Sequence, residues 1–195
     1  MADDESGDLG QSYVLRYRRK DVQGKKKQAA TNENYESQIV ELAEFSTLSD
    51  FWLVYAYLKR PGEFGRLGDL TIFKEESPPI WEDPSNRHGG RLVFRTPKLV
   101  AARYWEEILF AFLGRQFEEW EFINGLGCNV RHNEIDYETV IVVWLATSES
   151  EIVDSVIHDM RRILLLHPRH RIAFKTHRKY YGRGTRNGAR GDGKE

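Results

Sequence analysis

The strongest constraint on the fold of this chain is its order of segments. Three segments have the helical spacing of apolar residues, and each of them follows a pair of strand-like segments. Strands are expected at 13–17, 39–45, 70–73, 92–95, 128–132, 140–144 and 171–175. Short strands that are adjacent in sequence pair most readily as antiparallel neighbours, and the helices between them then cover one side of the sheet. The order β-β-α-β-β-α-β-β-α-β therefore predicts an α+β fold, in which a mostly antiparallel sheet carries three helices on one face.

The helix boundaries are indicated by capping and terminating residues. The expected N-caps are Thr47, Thr96 and Ser148, and the expected terminators are Pro61, Gly114 and Pro168. Hydroxyl side chains at an N-cap accept hydrogen bonds from the first unpaired N–H groups of a helix. Proline and glycine stop a helix because proline lacks an N–H group and glycine adopts left-handed backbone readily.

Length and composition divide the chain into one domain and two tails. For 195 residues we expect a domain at 13–181, a disordered acidic N-terminus at 1–12 and a disordered Arg/Gly-rich tail at 182–195. The single cysteine, Cys128, favours a reducing compartment. No apolar run approaches the length of a membrane span. We expect a cytoplasmic protein that contacts no membrane.

The net charge of −1 hides two basic segments. Residues 16–27 hold seven Lys and Arg against one acid, and residues 167–195 hold nine against two. Such clusters indicate contact with phosphates, or else a solvated linker and a solvated tail. Charge alone leaves both interpretations open.

The segment 73–84, FKEESPPIWEDP, is the most informative part of the sequence. Its three prolines disfavour a helix or a central strand, and Trp81 belongs to no apolar period. A tryptophan on a proline-stiffened loop is typical of a recognition residue, although a ring folded back over the domain fits equally. Glu82 beside it either forms an acidic turn or accepts two N–H groups from the edge of a guanine.

A methylated guanine would explain why an aromatic ring and a carboxylate are neighbours. Methylation at N7 makes the base positive, and an electron-rich ring attracts it by about 0.5–2 kcal/mol. Stacking contributes about 1–3 kcal/mol more, so two rings could enclose the base. Arg131 lies on the polar face of its strand by alternation, and is either a phosphate ligand or an ordinary surface arginine.

The sequence does not favour catalysis or metal binding. Cys128 and His132 share a strand face, but four residues place them about 13 Å apart, too far for a nucleophile and its base. The histidines at 167, 170 and 177 lack cysteine partners and zinc-like spacing. We expect no enzyme, no metal and no cofactor.

Several motifs, in the right order, resemble the eukaryotic translation initiation factor 4E family. They are FSTLSDFWLVY at 45–55, FKEESPPIWEDPSNRHGG at 73–90, RYWEEILFAFLG at 103–114, Asn129-Val130-Arg131 and Trp144. The resemblance as a whole covers about 13–181. Arg60-Pro61-Gly62, the segment 73–76 and Tyr35 resemble the class II branch, that of the 4E homologous protein. The resemblance implies a curved antiparallel sheet with three helices on its convex face.

The resemblance also implies which residues bind the 7-methylguanosine cap of mRNA. Tyr35 and Trp81 would sandwich the methylated base. Glu82 would bind the edge of the base, and Trp144 would contact the methyl group. The residues implied to bind the phosphates are Arg131, Arg91, Arg178 and Lys179.

A second surface is implied on the convex face, where helices of 4E-binding-motif proteins dock. Its residues are Leu48, Trp52, Glu106, Glu107 and Phe110, whereas Trp105 matches a core tryptophan of the family. Glu106 stands where the main factor has an apolar residue, which should weaken docking of the usual initiation scaffold.

The loop at 133–139 departs from the family pattern. It carries Glu134, Asp136 and Glu138, whereas the main factor has lysines nearby. Acids beside the phosphates should repel the triphosphate, and the basic C-terminal segment would offset this repulsion.

These features favour a cap-binding protein that represses translation, acting as a monomer or as a heterodimer with a regulatory partner. Two alternatives stay open. One is an interaction scaffold whose cap binding is weak or lost, and the other is a general initiation factor. They differ in whether Trp81 is needed for activity and in which partner the convex face selects.

Overall fold

The computed structural model describes residues 7–19, 39–61, 63, 68–132 and 137–177, with the backbone alone at 19, 131, 132, 137 and 138. Strands and helices follow the predicted order. The strands are β1 (Asp8–Arg19), β2 (Ile39–Thr47), β3 (Gly68–Lys74), β4 (Gly90–Pro97), β5 (Ile123–His132), β6 (Tyr137–Leu145) and β7 (Ile172–Thr176). The helices are α1 (Leu48–Tyr55), α2 (Lys98–Leu113) and α3 (Ser150–Ile163), and a 3-10 turn lies at Trp120–Phe122.

The strands form one curved, open sheet in the order β2-β1-β3-β5-β6-β4-β7. Every neighbouring pair is antiparallel. The predicted α+β class is therefore confirmed. The central strands β3, β5, β6 and β4 are each hydrogen-bonded on both edges, so the middle of the sheet is a rigid platform for side chains on either face.

Strand alternation gives the sheet two apolar faces of different size. The larger set lies under the helices and joins the buried side chains of α2, among them Trp105, Ile108 and Phe112. The smaller set lies on the other side, called here the open face, and consists of Phe73, Val93, Val140, Val142 and Trp144. Consecutive residues of one strand therefore serve opposite faces, as Val142 and Val143 do.

The N-terminal strand is longer than predicted. Residues 8–12, expected to be disordered, belong to β1, and Asp8 pairs with Thr47 of β2. Leu9 is buried in the core, and its carbonyl accepts a hydrogen bond of 2.8 Å from Arg115 Nη2. These contacts outweigh the polar composition of the segment. Residues 1–6 and the tail at 182–195 lie outside the described residues.

One predicted helix start is correct and two are displaced by one residue. Thr47 Oγ1 accepts a hydrogen bond of 3.1 Å from the Asp50 N–H, as expected. Thr96 is wrong as an N-cap, because β4 continues to Pro97, which takes that position. Ser148 is also wrong, because Glu149 is extended and α3 begins at Ser150.

The first helix ends earlier than Pro61. Its last residue is Tyr55, and the Arg60 guanidinium donates to the Tyr55 carbonyl at 2.9 Å and to the Leu58 carbonyl at 2.6 Å. A side chain therefore satisfies carbonyls that a longer helix would have bonded. No helix in the described ranges is long and apolar enough to cross a membrane.

Candidate functional site

The open face has an apolar floor with Trp144 at its centre. Trp144 lies on β6, and its Cα partners are Gly125 on β5 and Arg91 on β4. It is 7% exposed, and Trp81 packs against the same cluster from the loop that joins β3 to β4. Two tryptophans far apart in sequence therefore meet on one face of the sheet.

Gly125 makes room for this floor. A Cβ atom there would lie 2.3 Å from Phe73 Cγ and 2.6 Å from the Ile72 carbonyl oxygen. The Phe73 ring instead occupies this space and meets the Trp144 ring edge-on, with 5.4 Å between centroids and an angle of 75°. Gly125 belongs to none of the motifs found in the sequence, although a glycine inside a strand signals a close approach of this kind.

The loop that carries Trp81 is folded around one buried asparagine. Asn86 is 0% exposed, and its Nδ2 donates to the carbonyls of Pro78 at 2.8 Å and Ile80 at 2.9 Å. Its Oδ1 accepts a hydrogen bond of 3.0 Å from Asn124 Nδ2 on β5. Asn86 thus fixes the residues just before Trp81 and ties them to the sheet.

The other end of the loop is fixed by a turn and by close packing. Asp83 Oδ1 accepts hydrogen bonds from the Ser85 N–H at 2.9 Å and from Ser85 Oγ at 2.6 Å. At Gly89 a Cβ atom would lie 1.8 Å from the Leu145 carbonyl oxygen, so only glycine fits. Trp81 and Glu82 therefore stand between two anchored stretches of chain, which limits how far either side chain moves.

His177 connects the end of β7 to this loop. Its Nδ1 lies 2.9 Å from the Asn86 carbonyl oxygen, and its ring centroid lies 4.6 Å from that of Trp144. Burial lowers the pKa of His177; the positive charge of Arg91 lowers it further, while the hydrogen bond to Asn86 and the charge of Glu82 oppose the shift. Both Glu82 and Arg91 therefore lie close enough to influence the imidazole. From the sequence, His177 was a candidate metal ligand only.

Four of the predicted cap-binding residues are brought together: Trp81, Glu82, Arg91 and Trp144. They are called here the Trp81–Trp144 site. Arg131 lies on β5, where its Cα partner is Glu138, and its side chain is not among the described atoms. Tyr35, Arg178, Lys179 and residues 133–136 of the acidic loop lie outside the described residues. Within the described ranges, no group of three or more His, Cys, Asp and Glu side chains is arranged to hold a metal ion.

The predicted partner surface forms a groove on the helix side. Leu48, Trp52 and Phe110 are partly exposed, Trp52 to 45%, and the rings of Trp52 and Phe110 lie 5.6 Å apart. They line a cavity of about 590 Å³ together with residues 7–10 of the N-terminal segment. Trp105 is fully buried, which confirms its placement in the core.

The two acids expected on this surface are engaged in ion pairs. Glu106 pairs with Arg60 and accepts a hydrogen bond of 3.4 Å from the Tyr55 hydroxyl. Glu107 pairs with Arg103 at 2.7 Å, one turn away on the same helix. Burial raises the pKa of Tyr55, and the charge of Glu106 raises it further. Glu106 therefore joins α2 to the chain after α1 and does not stand as an isolated charge.

Residues 8–189 match the family described as "Eukaryotic initiation factor 4E". The chain is 32% identical over 170 residues to "Eukaryotic translation initiation factor NCBP" of Oryza sativa subsp. japonica, covering 87% of this chain and 70% of that protein. It is 33% identical over 166 residues to the protein of the same name from Arabidopsis thaliana, covering 85% and 73%.

Solved structures show the same architecture. Ascaris suum eIF4E-3 in complex with m7G cap has a TM-score of 0.74 and 26% identity, covering 88% of this chain and 92% of that chain. Caenorhabditis elegans eIF4E-3, solved with the 4E-binding protein Mextli and a cap analog, has a TM-score of 0.76 and 24% identity, covering 90% and 95%. The antiparallel sheet, the three helices and the match over 8–189 together show that this chain belongs to the eukaryotic initiation factor 4E family.

Proposed function

We propose that this protein binds the 7-methylguanosine cap of mRNA on its open face and regulates translation in the cytoplasm, without catalysing a reaction. The observation that carries this proposal is the convergence of Trp81 and Trp144 on one apolar floor, with Glu82 beside Trp81 and Arg91 beside Trp144. An aromatic ring stacks on a charged purine, and a carboxylate binds the N–H groups on its edge. A guanidinium binds the phosphates.

The proposed roles combine this placement with the family resemblance, which alone supplies Tyr35, Arg131, Arg178 and Lys179. Trp81 stacks on the methylated base, and Tyr35 supplies the second ring. Glu82 accepts the two N–H groups of the base edge, and Trp144 faces the methyl group. Arg91 and Arg131 bind the phosphates, helped by Arg178 and Lys179. The 26% identical Ascaris suum eIF4E-3, solved with m7G cap, supports this ligand.

Tryptophan fluorescence tests the base-binding roles. The wild-type protein should be quenched saturably by 7-methyl-GTP and much less by GTP, because only the methylated base carries the positive charge. Trp81→Ala should weaken binding by about 5- to 150-fold, since stacking contributes about 1–3 kcal/mol. Glu82→Gln should cost about 1.5–3 kcal/mol, the value of a hydrogen bond to a charged group.

Trp52→Ala is the matched control, because it removes an exposed tryptophan from the opposite side of the sheet. Its affinity for 7-methyl-GTP should equal that of the wild type. Equal quenching of the wild-type protein by GTP and 7-methyl-GTP would contradict the proposal. An interaction scaffold without cap binding would then be the better account.

We further propose that the groove between α1 and α2 docks a helix of a 4E-binding-motif protein, giving a heterodimer. Exposed Trp52, Phe110 and Leu48 supply the apolar contact, and such rings are typical anchors of an interface. The main factor of the family has an apolar residue where this chain has Glu106, which is ion-paired with Arg60. This charged pair disfavours docking of the usual initiation scaffold, and so favours the role of a class II-type repressor.

A cell-free translation assay distinguishes repression from initiation. Added protein should reduce translation of a capped reporter and leave an uncapped reporter unchanged, whereas Trp81→Ala should have no effect on either. A general initiation factor would instead restore translation of the capped reporter in an extract depleted of its own factor. That restoration would contradict the repressor assignment, but it would still agree with the proposed cap binding.

A further inference from the structure

A strongly basic cavity lies on the open face beside the Trp81–Trp144 site. It encloses about 600 Å³ between β4 and β7, with Val93 and Ala173 at its base. The polar side chains that line it are Arg95, Arg169, Arg171, Lys175, His167 and His170. No carboxylate is found in this lining among the described residues, and its cations attract anions.

Strand register makes this cavity continuous with the proposed cap site. Arg91 on β4 pairs with Trp144 on one side and with Lys175 on the other. Directly paired residues share a face of the sheet, so these three side chains form one row across β6, β4 and β7. At about 4.8 Å between strands, Lys175 lies about 10 Å from Trp144. Val93 and Ala173 form the next row on the same face.

The turn that supplies half of the cations is held in place. Arg161 of α3 donates hydrogen bonds to the carbonyls of His167 at 3.2 Å and His170 at 2.8 Å. The Arg169 N–H donates to His167 Nδ1 at 3.2 Å. Arg169 and Arg171 therefore extend from a fixed backbone, which lowers the conformational entropy that binding a ligand would cost.

We propose that this basic groove, formed by Arg95, Arg169, Arg171 and Lys175, binds phosphodiesters of the RNA chain that continues from the cap. The inference rests on the proposed cap binding, because it assumes that the first nucleotide is held at the Trp81–Trp144 site. A chain that leaves this site across Arg91 toward β7 enters the groove directly. The cations of the lining pair with phosphates, which every nucleotide carries, so these contacts follow the RNA backbone and do not depend on base sequence.

The test compares Arg169→Gln/Arg171→Gln with the wild-type full-length protein by fluorescence anisotropy. The matched control is Lys59→Gln/Arg103→Gln, which removes two exposed cations outside the groove. The probes are the cap dinucleotide m7GpppG, a capped RNA octamer and the same octamer uncapped. The groove variant should bind m7GpppG as the wild type does, which also shows that it is folded.

The groove variant should bind the capped octamer on the order of tenfold more weakly at 0.1 M salt. Its slope of log affinity against log salt should be smaller by about 1.4, because each phosphate of a single strand that a cation neutralises adds about 0.7 to the slope. The control variant should retain both the affinity and the slope of the wild type.

Two results would overturn the groove assignment while cap binding stands. One is an unchanged octamer affinity and salt slope in the groove variant. The other is displacement of the octamer by inorganic tripolyphosphate at equal phosphate concentration, which would identify a site for free polyanions. A wild-type protein that fails to bind m7GpppG would instead contradict the proposed function, and with it the assumption on which the groove assignment rests.

Discussion

Asn86 controls how Trp81 and Glu82 are presented, although it is not expected to touch a ligand. Its side-chain Nδ2 donates hydrogen bonds to two carbonyls that precede Trp81. Its Oδ1 accepts a hydrogen bond from Asn124, and its backbone carbonyl oxygen lies against His177 Nδ1. A buried amide with every hydrogen bond satisfied stabilises one loop conformation, because any other conformation leaves polar groups buried without partners. The position of Trp81 therefore depends on Asn86, five residues further along the chain.

Replacing Asn86 should damage stability and cap binding together. Asn86→Ala removes one hydrogen bond each from the Pro78 and Ile80 carbonyls and from the Asn124 amide, and should lower the free energy of unfolding by about 2–4 kcal/mol. The affinity for 7-methyl-GTP should fall at least about tenfold, because Trp81 is no longer held in place. Urea unfolding followed by circular dichroism and fluorescence titration measure the two effects.

Ser85→Ala is the control for this loop, since it removes one hydroxyl bonded to Asp83 and keeps the backbone bond beside it. It should cost at most about 1 kcal/mol and leave the affinity unchanged. If Asn86→Ala retained wild-type affinity, Trp81 would have to be positioned by some other contact.

His177 should make stability depend on pH below neutrality. Its pKa is lowered in the folded protein, chiefly by burial, so the folded state holds fewer protons than the unfolded state just below pH 6.5. The stabilisation is therefore complete above about pH 6.5 and is lost progressively as the pH falls toward the lowered folded-state pKa. Urea unfolding at a series of pH values from about 5 to 8 measures this loss.

The substitution His177→Gln should flatten the pH dependence, because glutamine can still hydrogen-bond to Asn86 but does not titrate. A wild-type curve that is flat between these pH values would show that the imidazole is not held in its neutral form by folding.

At the scale of elements, the sequence predicted which helices exist better than where they begin. Thr47 is an N-cap because β2 ends there and its hydroxyl faces the Asp50 N–H. Thr96 has the same chemistry but stays extended, since the pairing of β4 with β6 continues through Pro97 and Glu138. The length of a strand pairing depends on its partner strand, and a local capping motif does not contain that information.

A pair of alanine substitutions measures this difference. Thr47→Ala removes a hydrogen bond to a helix N–H and should lower the free energy of unfolding by about 1 kcal/mol. Ser148→Ala alters a residue that the sequence favoured as an N-cap but that lies before the true one, and should change stability by less than about 0.5 kcal/mol. Equal losses would mean that Ser148 does bond to α3 in solution.

The end of α2 shows a second contact that no local pattern reveals. The helix ends at Leu113 with Gly114 as its C-cap, as the sequence predicted, but the left-handed residue is Arg115, with φ of 52°. Arg115 adopts this left-handed conformation because its guanidinium donates a hydrogen bond to the Leu9 carbonyl and lies 4.3 Å from the centroid of the Trp120 ring. Leu9 is 106 residues away in sequence, so only the folded chain identifies the reason.

At the scale of the whole molecule, periodicity and motifs predicted the order of elements, the antiparallel sheet and four residues of the Trp81–Trp144 site. They did not predict Gly125, Asn86 or His177, which act by filling space or by hydrogen bonds within the protein. The basic segment 167–195 was recognised in the sequence, but the groove was not, because it combines this segment with Arg95 of another strand. Motifs identify groups that would touch a ligand, whereas supporting groups become visible only with the packing.

Binding of a 4E-binding-motif peptide on the helix side and of 7-methyl-GTP on the open face should be independent of each other. Trp52→Ala should weaken binding of a 4E-binding-motif peptide by about 2 kcal/mol, as expected for an aromatic anchor. It should change the affinity for 7-methyl-GTP by less than about twofold, because the sheet separates the groove from the Trp81–Trp144 site. Trp81→Ala should show the reverse pattern. Isothermal titration calorimetry with each ligand, alone and with the other present, measures both affinities.

A coupling free energy above about 1 kcal/mol between the two ligands would contradict this independence. The buried layer that contains Trp105 and Ile108 would then have to adopt two arrangements. Its close packing against β4 and β6 favours a single one.

Core and binding residues alternate along the same strands, and this restricts how such a protein can diverge. One residue inserted between Val140 and Trp144 would turn Trp144 toward the helices and Ile141 or Val143 toward solvent, because a shift of one residue exchanges the two faces. Ligand preference can therefore change by substitution within β4, β6 and β7, but changes of length must be confined to the connections between strands. In relatives of this chain, insertions and deletions should accumulate in those connections, while the spacing from Val140 to Trp144 stays constant.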